Sequence, residues 1–489
     1  MGKEVNIWDS YQEKDLKELE ILCKEYREFL DLAKTERECV AQVVKALEAH
    51  GYKNLDMIGD LTRADRNERK LYRVWMNKTV VAFYLGEDDL TQGMNILGAH
   101  IDSPRLDLKQ NPLYEDSGLA YLDTHYYGGV KKYQWVTLPL AIHGVVVKKD
   151  GSQVVINMGD HEDDPVFFIS DLLIHLATEQ LDKKGAKVIE GEALDVIVGS
   201  KPLIIKDDKT ASEDGSKGSN KEIAGGKSTD KDETKAKEAV KAGVLDILKK
   251  QYAIEEDDFL SAELEIVPAG RAREAGLDRS MILAYGQDDR VCSFASLKAF
   301  LDINNPKRTA CLMLSDKEEI GSVGATGMQS YFFENALAEV FNLTGSFTEL
   351  ALRRCLANCR MLSSDVSAAF DPTYASTFDK RNSAYLGKGL VFNKYTGARG
   401  KSGSNDANAE YMAKIRRILE DGGVHYQTAE LGKVDAGGGG TIAYIMARYG
   451  MEVIDSGVAV LNMHAPWEAT AKVDIYEAYT GYLVFAAWK

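Results

Sequence analysis

Between about Lys14 and His50, apolar residues recur every three or four positions through LKELEILCKEYREFLDLAKTERECVAQVVKALEAH. That period predicts one or two amphipathic helices. Two strand-like runs follow, LYRVWMNKTVVAFYLG and NILGAHIDSP, the second closing on a histidine and an aspartate. Beyond Pro104 the texture shifts to short β-branched runs broken by glycine, as in WVTLPLAIHGVVVKK and SQVVINMG. These predict a compact β-rich unit. From about Arg271 strands and helices alternate: MILAYG before a helix from about Val291 to Asp302, TACLMLSD before SYFFENALAEVF, then CRMLSSD, TIAYIMARYG and GVAVLNMH. Buried strands followed by helices predict an α/β fold, a central mostly parallel or mixed sheet with helices on both faces. The expected organisation is one α/β domain from residues 1–102 and 271–489, interrupted by an inserted β-rich domain at 103–270. No internal repeat recurs at a fixed period.

Residues 206–241 break every pattern. They are polar and nearly free of aromatics, with equal numbers of basic and acidic residues. Such a stretch buries too little apolar area to offset the ordering of its backbone, so a flexible surface excursion is expected.

A length of 489 residues exceeds one simple core and fits two or three compact units. The net charge of -16 argues against nucleic acid or an anionic membrane as partner. No run is long and apolar enough for a membrane span, and the charged N-terminus has no apolar signal region. Six cysteines without a CxxC pair fit a reduced, cytoplasmic protein. Cys355 and Cys359, four apart in an expected helix, are read as packing residues.

The chemistry sits where apolar runs end. NILGAH-I-D gives His100 and Asp102, MILAYGQ-D-D gives Asp288 and Asp289, and CLMLSDK-E-E gives Glu318 and Glu319. CRMLSS-D gives Asp365 and VAVLNM-H gives His464. Ligands of open α/β sheets bind beyond the carboxyl ends of strands, so one sheet could gather these residues in one crevice. Carboxylates at that density require protonation or cations among them. Two imidazoles with carboxylates and no thiolate suit zinc first, with manganese or cobalt possible, and one shared carboxylate suits two ions ~3.5–4 Å apart. Asp102, two residues from His100, can accept from the far imidazole nitrogen. Of Glu318 and Glu319, one can ligate while the other takes a proton from water. Asp289 is read as the N-cap of the following helix. Gly437 to Gly440 lack the lysine of a phosphate loop and are read as a tight turn. The remaining histidines, His175 among them, are unremarkable by pattern alone.

The segments GAHIDSPRLDLK, the QDD around Asp288, DKEEIGSVGATG, SSDVSAAFDP and NMHAPWEAT, in this order, resemble the metal-site motifs of the M18 metallopeptidases. This is the aspartyl aminopeptidase/aminopeptidase I family, and the chain looks closer to its bacterial branch. The similarity runs from about residue 20 to the C-terminus, the polar excursion excepted. It implies a zinc-peptidase-like catalytic domain and a metallo-aminopeptidase that removes the first residue of peptides with a free N-terminus. By resemblance, His100 and Asp365 hold one ion, Glu319 and His464 the other, and Asp288 bridges them. Glu318 is then the general base and Asp102 the partner that orients His100. The resemblance also implies a homo-oligomer, a tetrahedral dodecamer, with the inserted domain serving oligomerisation. His175, in FISDLLIHLATEQ, matches a histidine that reaches a neighbour's active site. Ala368 and Asp371 stand where animal-type members carry histidines, which puts a preference for acidic first residues in doubt. Two rival readings remain: a two-metal deacylase or carboxypeptidase, and an inactive shell-forming homologue.

Overall fold

The computed structural model describes residues 6–58, 69–203, 238–397, 399–436 and 438–489. The chain divides into two compact units. The first comprises residues 1–105, 127–130 and 270–489, the second residues 106–126 and 131–269.

A nine-stranded mixed sheet forms the centre of the first unit. Its order is Lys53–Asn54, Lys70–Trp75, Thr79–Tyr84, Thr309–Ser315, Met94–His100, Arg360–Ser364, Glu452–Gly457, Leu390–Asn393 and Tyr426–Thr428. The four middle strands, from Thr309–Ser315 to Glu452–Gly457, are mutually parallel. Their carboxyl ends therefore lie along one edge, with Ser315 directly opposite His100.

Alternation along these strands feeds two cores, because successive side chains leave opposite faces. Leu97 and Ala99 join one core with the helices Glu13–Leu32, Glu36–Ala49, Gln287–Leu301 and Lys472–Ala486. Met94 and Ile96 join the other, with Phe332–Thr344 and Glu349–Asn358. The N-terminal pattern is thus two helices, the second opened by a capping box of Thr35 and Glu38. Cys355 and Cys359 are buried and unpaired, as packing residues should be.

The expectation of a single sheet for all five strand ends is corrected here. Met281–Ala284 and Ala459–Leu461, which lead to Asp288 and His464, belong to a separate five-stranded sheet. Its order is Arg273–Ala275, Met281–Ala284, Glu468–Ala471, Ala459–Leu461, Ser367–Ala368. Short apolar runs look alike in either sheet, because each is buried.

The second unit is built on a six-stranded sheet ordered Gln153–Met158, Leu140–Val147, Ala262–Pro268, Arg105–Asp116, Leu119–Tyr127, Val196–Gly199. Residues 204–237, most of the expected polar excursion, lie outside the described residues. Its last residues differ from expectation: a helix, Ala239–Tyr252, already begins there. Val240 is buried, and the Glu115 carboxylate accepts the N–H groups of Val240 and Lys241, satisfying donors that an N-terminus leaves open. Among the described residues no helix is long and apolar enough to cross a membrane.

Candidate metal centre

His100 ends its strand fully buried, and its two ring nitrogens have separate tasks. Nδ1 lies 3.0 Å from the backbone oxygen of Asp102, while Nε2 points at Asp288 Oδ1, 3.2 Å away, and Asp365 Oδ1, 3.7 Å away. His464 repeats this arrangement from another part of the chain. Its Nδ1 lies 3.0 Å from the carbonyl of Gly129, and its Nε2 lies 3.2 Å from Asp288 Oδ2 and 3.6 Å from Glu319 Oε2. A carbonyl that takes the Nδ1 proton leaves Nε2 as the free donor atom, the usual second partner of a metal-binding imidazole. Gly129 itself comes within van der Waals distance of the ring: a Cβ there would lie 3.2 Å from His464 Nδ1.

The Asp102 carboxylate also approaches His100, with Oδ1 3.3 Å from Nδ1. It accepts the Tyr127 hydroxyl at 2.8 Å and the backbone N–H groups of Glu318 and Glu319, each at 3.1 Å. One side chain therefore touches the imidazole and fixes the turn carrying both glutamates. Within that turn, Glu318–Ile320, the two acids separate. Glu319 comes up to His464, and both glutamates line a cavity of about 480 Å³ that Asp288, Asp365 and His464 line as well.

Asp289 corrects the reading of it as a helix cap. Neither of its oxygens accepts a backbone N–H, and it is wholly buried, with ligand atoms of His100 and Asp365 within 4.8 Å. Consecutive acids before a helix look like caps, but here Asp288 and Asp289 have non-helical backbone angles that carry both inward. Gly286, at φ +71, makes the turn before them; a Cβ there would strike the Arg290 guanidinium. That guanidinium donates to Ser103 Oγ, which in turn donates to the Asp288 carbonyl.

Glu468 escapes the strand-end pattern altogether. Fully buried, it accepts the backbone N–H of Asp288 on one oxygen at 3.0 Å and that of His464 on the other at 2.8 Å. A single carboxylate thus ties together two segments that meet at the cluster. A signal existed in EATA, where an acid opens an otherwise buried apolar strand. Glu468→Gln places an amide NH₂ against one of two backbone donors and so breaks one tether. The expected result is a fall of about 10–100-fold in zinc affinity and in turnover. Calorimetric zinc titration of metal-free protein checks it, and an unaltered affinity would refute the tether.

His175 lies in the second unit, exposed in the short turn Ile174–Leu176. It is not part of this cluster.

Electrostatics set the chemistry. Burial would lower the pKa of His100, yet Asp102, Asp288 and Asp365 raise it well above the imidazole range. Burial likewise opposes protonation of His464, but Asp288 and Glu319 push it up to about 10. Burial and neighbouring acids raise Asp365, Glu319 and Asp289, and push Glu318 up to about 8. Asp288 and Asp102 go down against their burial, Asp288 because of both imidazoles and Asp102 because of His100 and the Tyr127 hydroxyl. The cluster is short of positive charge, and Glu319 Oε1 is buried with no hydrogen-bond partner. Imidazole nitrogen and carboxylate oxygen without thiolate are donors for a divalent ion such as zinc, so the residues fit a metal centre.

Known proteins lead to the same class. The family model of the aminopeptidase I zinc metalloproteases (M18) matches residues 29–486. An M18 family aminopeptidase 1 of Clostridium acetobutylicum is 56% identical over 480 residues, covering 98% of this chain and 97% of its own length. Its counterpart in Thermotoga maritima is 44% identical over 98% and 97%. The crystal structure of an M18 aminopeptidase from Thermotoga maritima superposes with a TM-score of 0.88 at 43% identity, covering 99% of each chain. That of aminopeptidase I from Clostridium acetobutylicum gives 0.87 at 52% identity, again over 99% of each. The protein is a metallopeptidase of the α/β type. It belongs to the M18 family and is an aminopeptidase, a hydrolase acting on N-terminal residues.

Proposed function

We propose that the cluster holds two divalent ions and that the enzyme hydrolyses the first peptide bond of substrates with a free N-terminus. His100 and Asp365 hold one ion, Glu319 and His464 the other, and Asp288 is shared. The observation that carries this reading is the placement of Asp288: each of its oxygens faces a different imidazole at 3.2 Å. Zinc suits these donors first, with cobalt or manganese also accommodated. Bound ions supply Lewis acidity and a water acidic enough to be deprotonated near neutral pH. Glu318 takes the proton from the attacking water and returns it to the leaving amine. Its position on the wall of the cavity that the donor set also lines supports that role. Asp102 keeps Glu318 in place through its backbone N–H and steadies His100.

The working form is a cytoplasmic homo-oligomer, a tetrahedral dodecamer, in which residues 103–270 mediate assembly and His175 serves a neighbouring subunit. Support comes from apolar side chains left exposed around His175, with Leu173 at 58% and Leu176 at 70%. A yeast relative of the same fold, 20% identical, is described as a dodecamer.

The test uses the full chain. Metal analysis is expected to find two ions per subunit, and chelation to abolish turnover of aminoacyl amides until zinc, cobalt or manganese is restored. N-acetylation of the same amides should remove turnover as well. Hydrolysis of the acetylated forms would favour a deacylase or carboxypeptidase, and bound metal without hydrolysis an inactive shell.

A further inference from the structure

The cavity that the donor set lines has a second wall, apolar in part at Leu431 and Tyr444, whose charged groups are all acidic. That wall carries Thr396, Glu430, Thr441 and Asp455, and no lysine or arginine is among the described residues that line the cavity. Asp455 lies in the middle of the nine-stranded sheet, in register with Ser363 and Asn393, and is only 2% exposed. Thr441 donates its hydroxyl to Asp455 Oδ1. Oδ2 is buried without any hydrogen-bond partner, and so is Thr396 Oγ1. Glu430 accepts the Tyr395 hydroxyl at 2.5 Å and adds a second carboxylate to the wall.

A buried carboxylate oxygen with no donor is costly, and folding alone gives this one nothing to bind. Burial, with Asp365 adding repulsion, pushes Asp455 up to about 7. What the wall lacks is a group rich in donors and poor in acceptors. Ammonium and guanidinium are such groups, with three and five N–H donors and no acceptor. An acidic side chain would instead face two carboxylates across a confined, poorly screened space. An uncharged aliphatic chain would fill the volume but leave Oδ2 and Oγ1 unpaired.

We propose that this cavity receives the side chain of the substrate's first residue, and that Asp455, assisted by Glu430, selects lysine or arginine there. The inference rests on the aminopeptidase reading of the same site and adds its substrate class. Asp455 then acts as a specificity-determining residue: it touches the side chain of the substrate, not the reacting atoms.

The experiment compares fluorogenic amides of lysine, arginine, norleucine and glutamate on the metal-loaded full-length enzyme. Norleucine matches the lysine chain in length but ends in a methyl group, so the lysine-to-norleucine ratio of kcat/KM isolates the ammonium. That ratio is expected to be ~10 or more, with glutamate the poorest substrate. Asp455→Asn should bring the ratio down ~10-fold, and Glu430→Gln, at a less buried position, by a smaller factor. A ratio within one preparation divides out any loss of folded enzyme, so a destabilised Asp455→Asn still reports. A wild-type ratio at or below one overturns the proposal, as does a ratio unmoved by Asp455→Asn. If none of the four amides is hydrolysed, it is the aminopeptidase reading that fails, a result distinct from hydrolysis without preference.

Discussion

Glu318→Gln is expected to lower kcat by ~10³–10⁴-fold while the metal content stays unchanged. The amide keeps the size and the backbone of the glutamate, so the turn held by Asp102 through the N–H groups of residues 318 and 319 stays in place. On the proposed reading, what disappears is the ability to accept a proton from water and hand it to the leaving amine. Glu318 approaches neither imidazole within ion-pair distance, whereas Glu319 lies 3.6 Å from His464. Metal content measured by atomic emission should therefore equal that of the parent enzyme. Near-normal turnover in a metal-replete variant would remove Glu318 from the mechanism, and joint loss of metal and turnover would make it a ligand.

Asp288→Ala should have the broader effect. Both oxygens of this residue face imidazole nitrogens, so its removal takes a donor from each half of the site at once. It also leaves His100 and His464 without the carboxylate that draws their nitrogens toward a common point. Metal content should fall below two ions per subunit, and turnover by roughly 10³-fold or more, since Lewis-acid activation is worth several kcal/mol. The backbone N–H of residue 288 would still reach Glu468, which keeps the fold of the turn. Adding excess zinc separates weakened binding from lost chemistry. Full recovery at saturating metal would show that Asp288 contributes affinity alone, and full metal content without zinc excess would end its assignment as the shared ligand.

Much of the fold could be read from the chain because each central strand is a short apolar run that stops at a polar residue. Met94–His100 and Arg360–Ser364 announce themselves in this way, and the residues that follow them meet in space. Legibility failed where the informative atom is not a side chain. The carbonyls of Asp102 and Gly129 aim the two imidazoles, yet no residue type encodes a carbonyl. It failed again where one pattern serves two ends: Asp289 reads as a cap until its backbone angles turn it inward with Asp288. Glu468 stayed hidden because its partners are backbone N–H groups, one nearby at His464 and the other far away in sequence at Asp288. The C-terminal helix Lys472–Ala486 left little periodic trace, because it is buried on most of its circumference.

The path of the chain through residues 127–130 has a consequence for engineering. The β-rich insert is not one continuous cassette: the chain leaves the first unit after Arg105, rejoins it for four residues, and leaves again until Gly270. Within those four residues is the Gly129 carbonyl that orients His464, beside the Tyr127 hydroxyl that holds Asp102. A chimaera that exchanged the whole stretch from 106 to 269 for a short linker would thus delete part of the candidate metal centre along with the insert. A successful graft has to carry the tetrapeptide across as well.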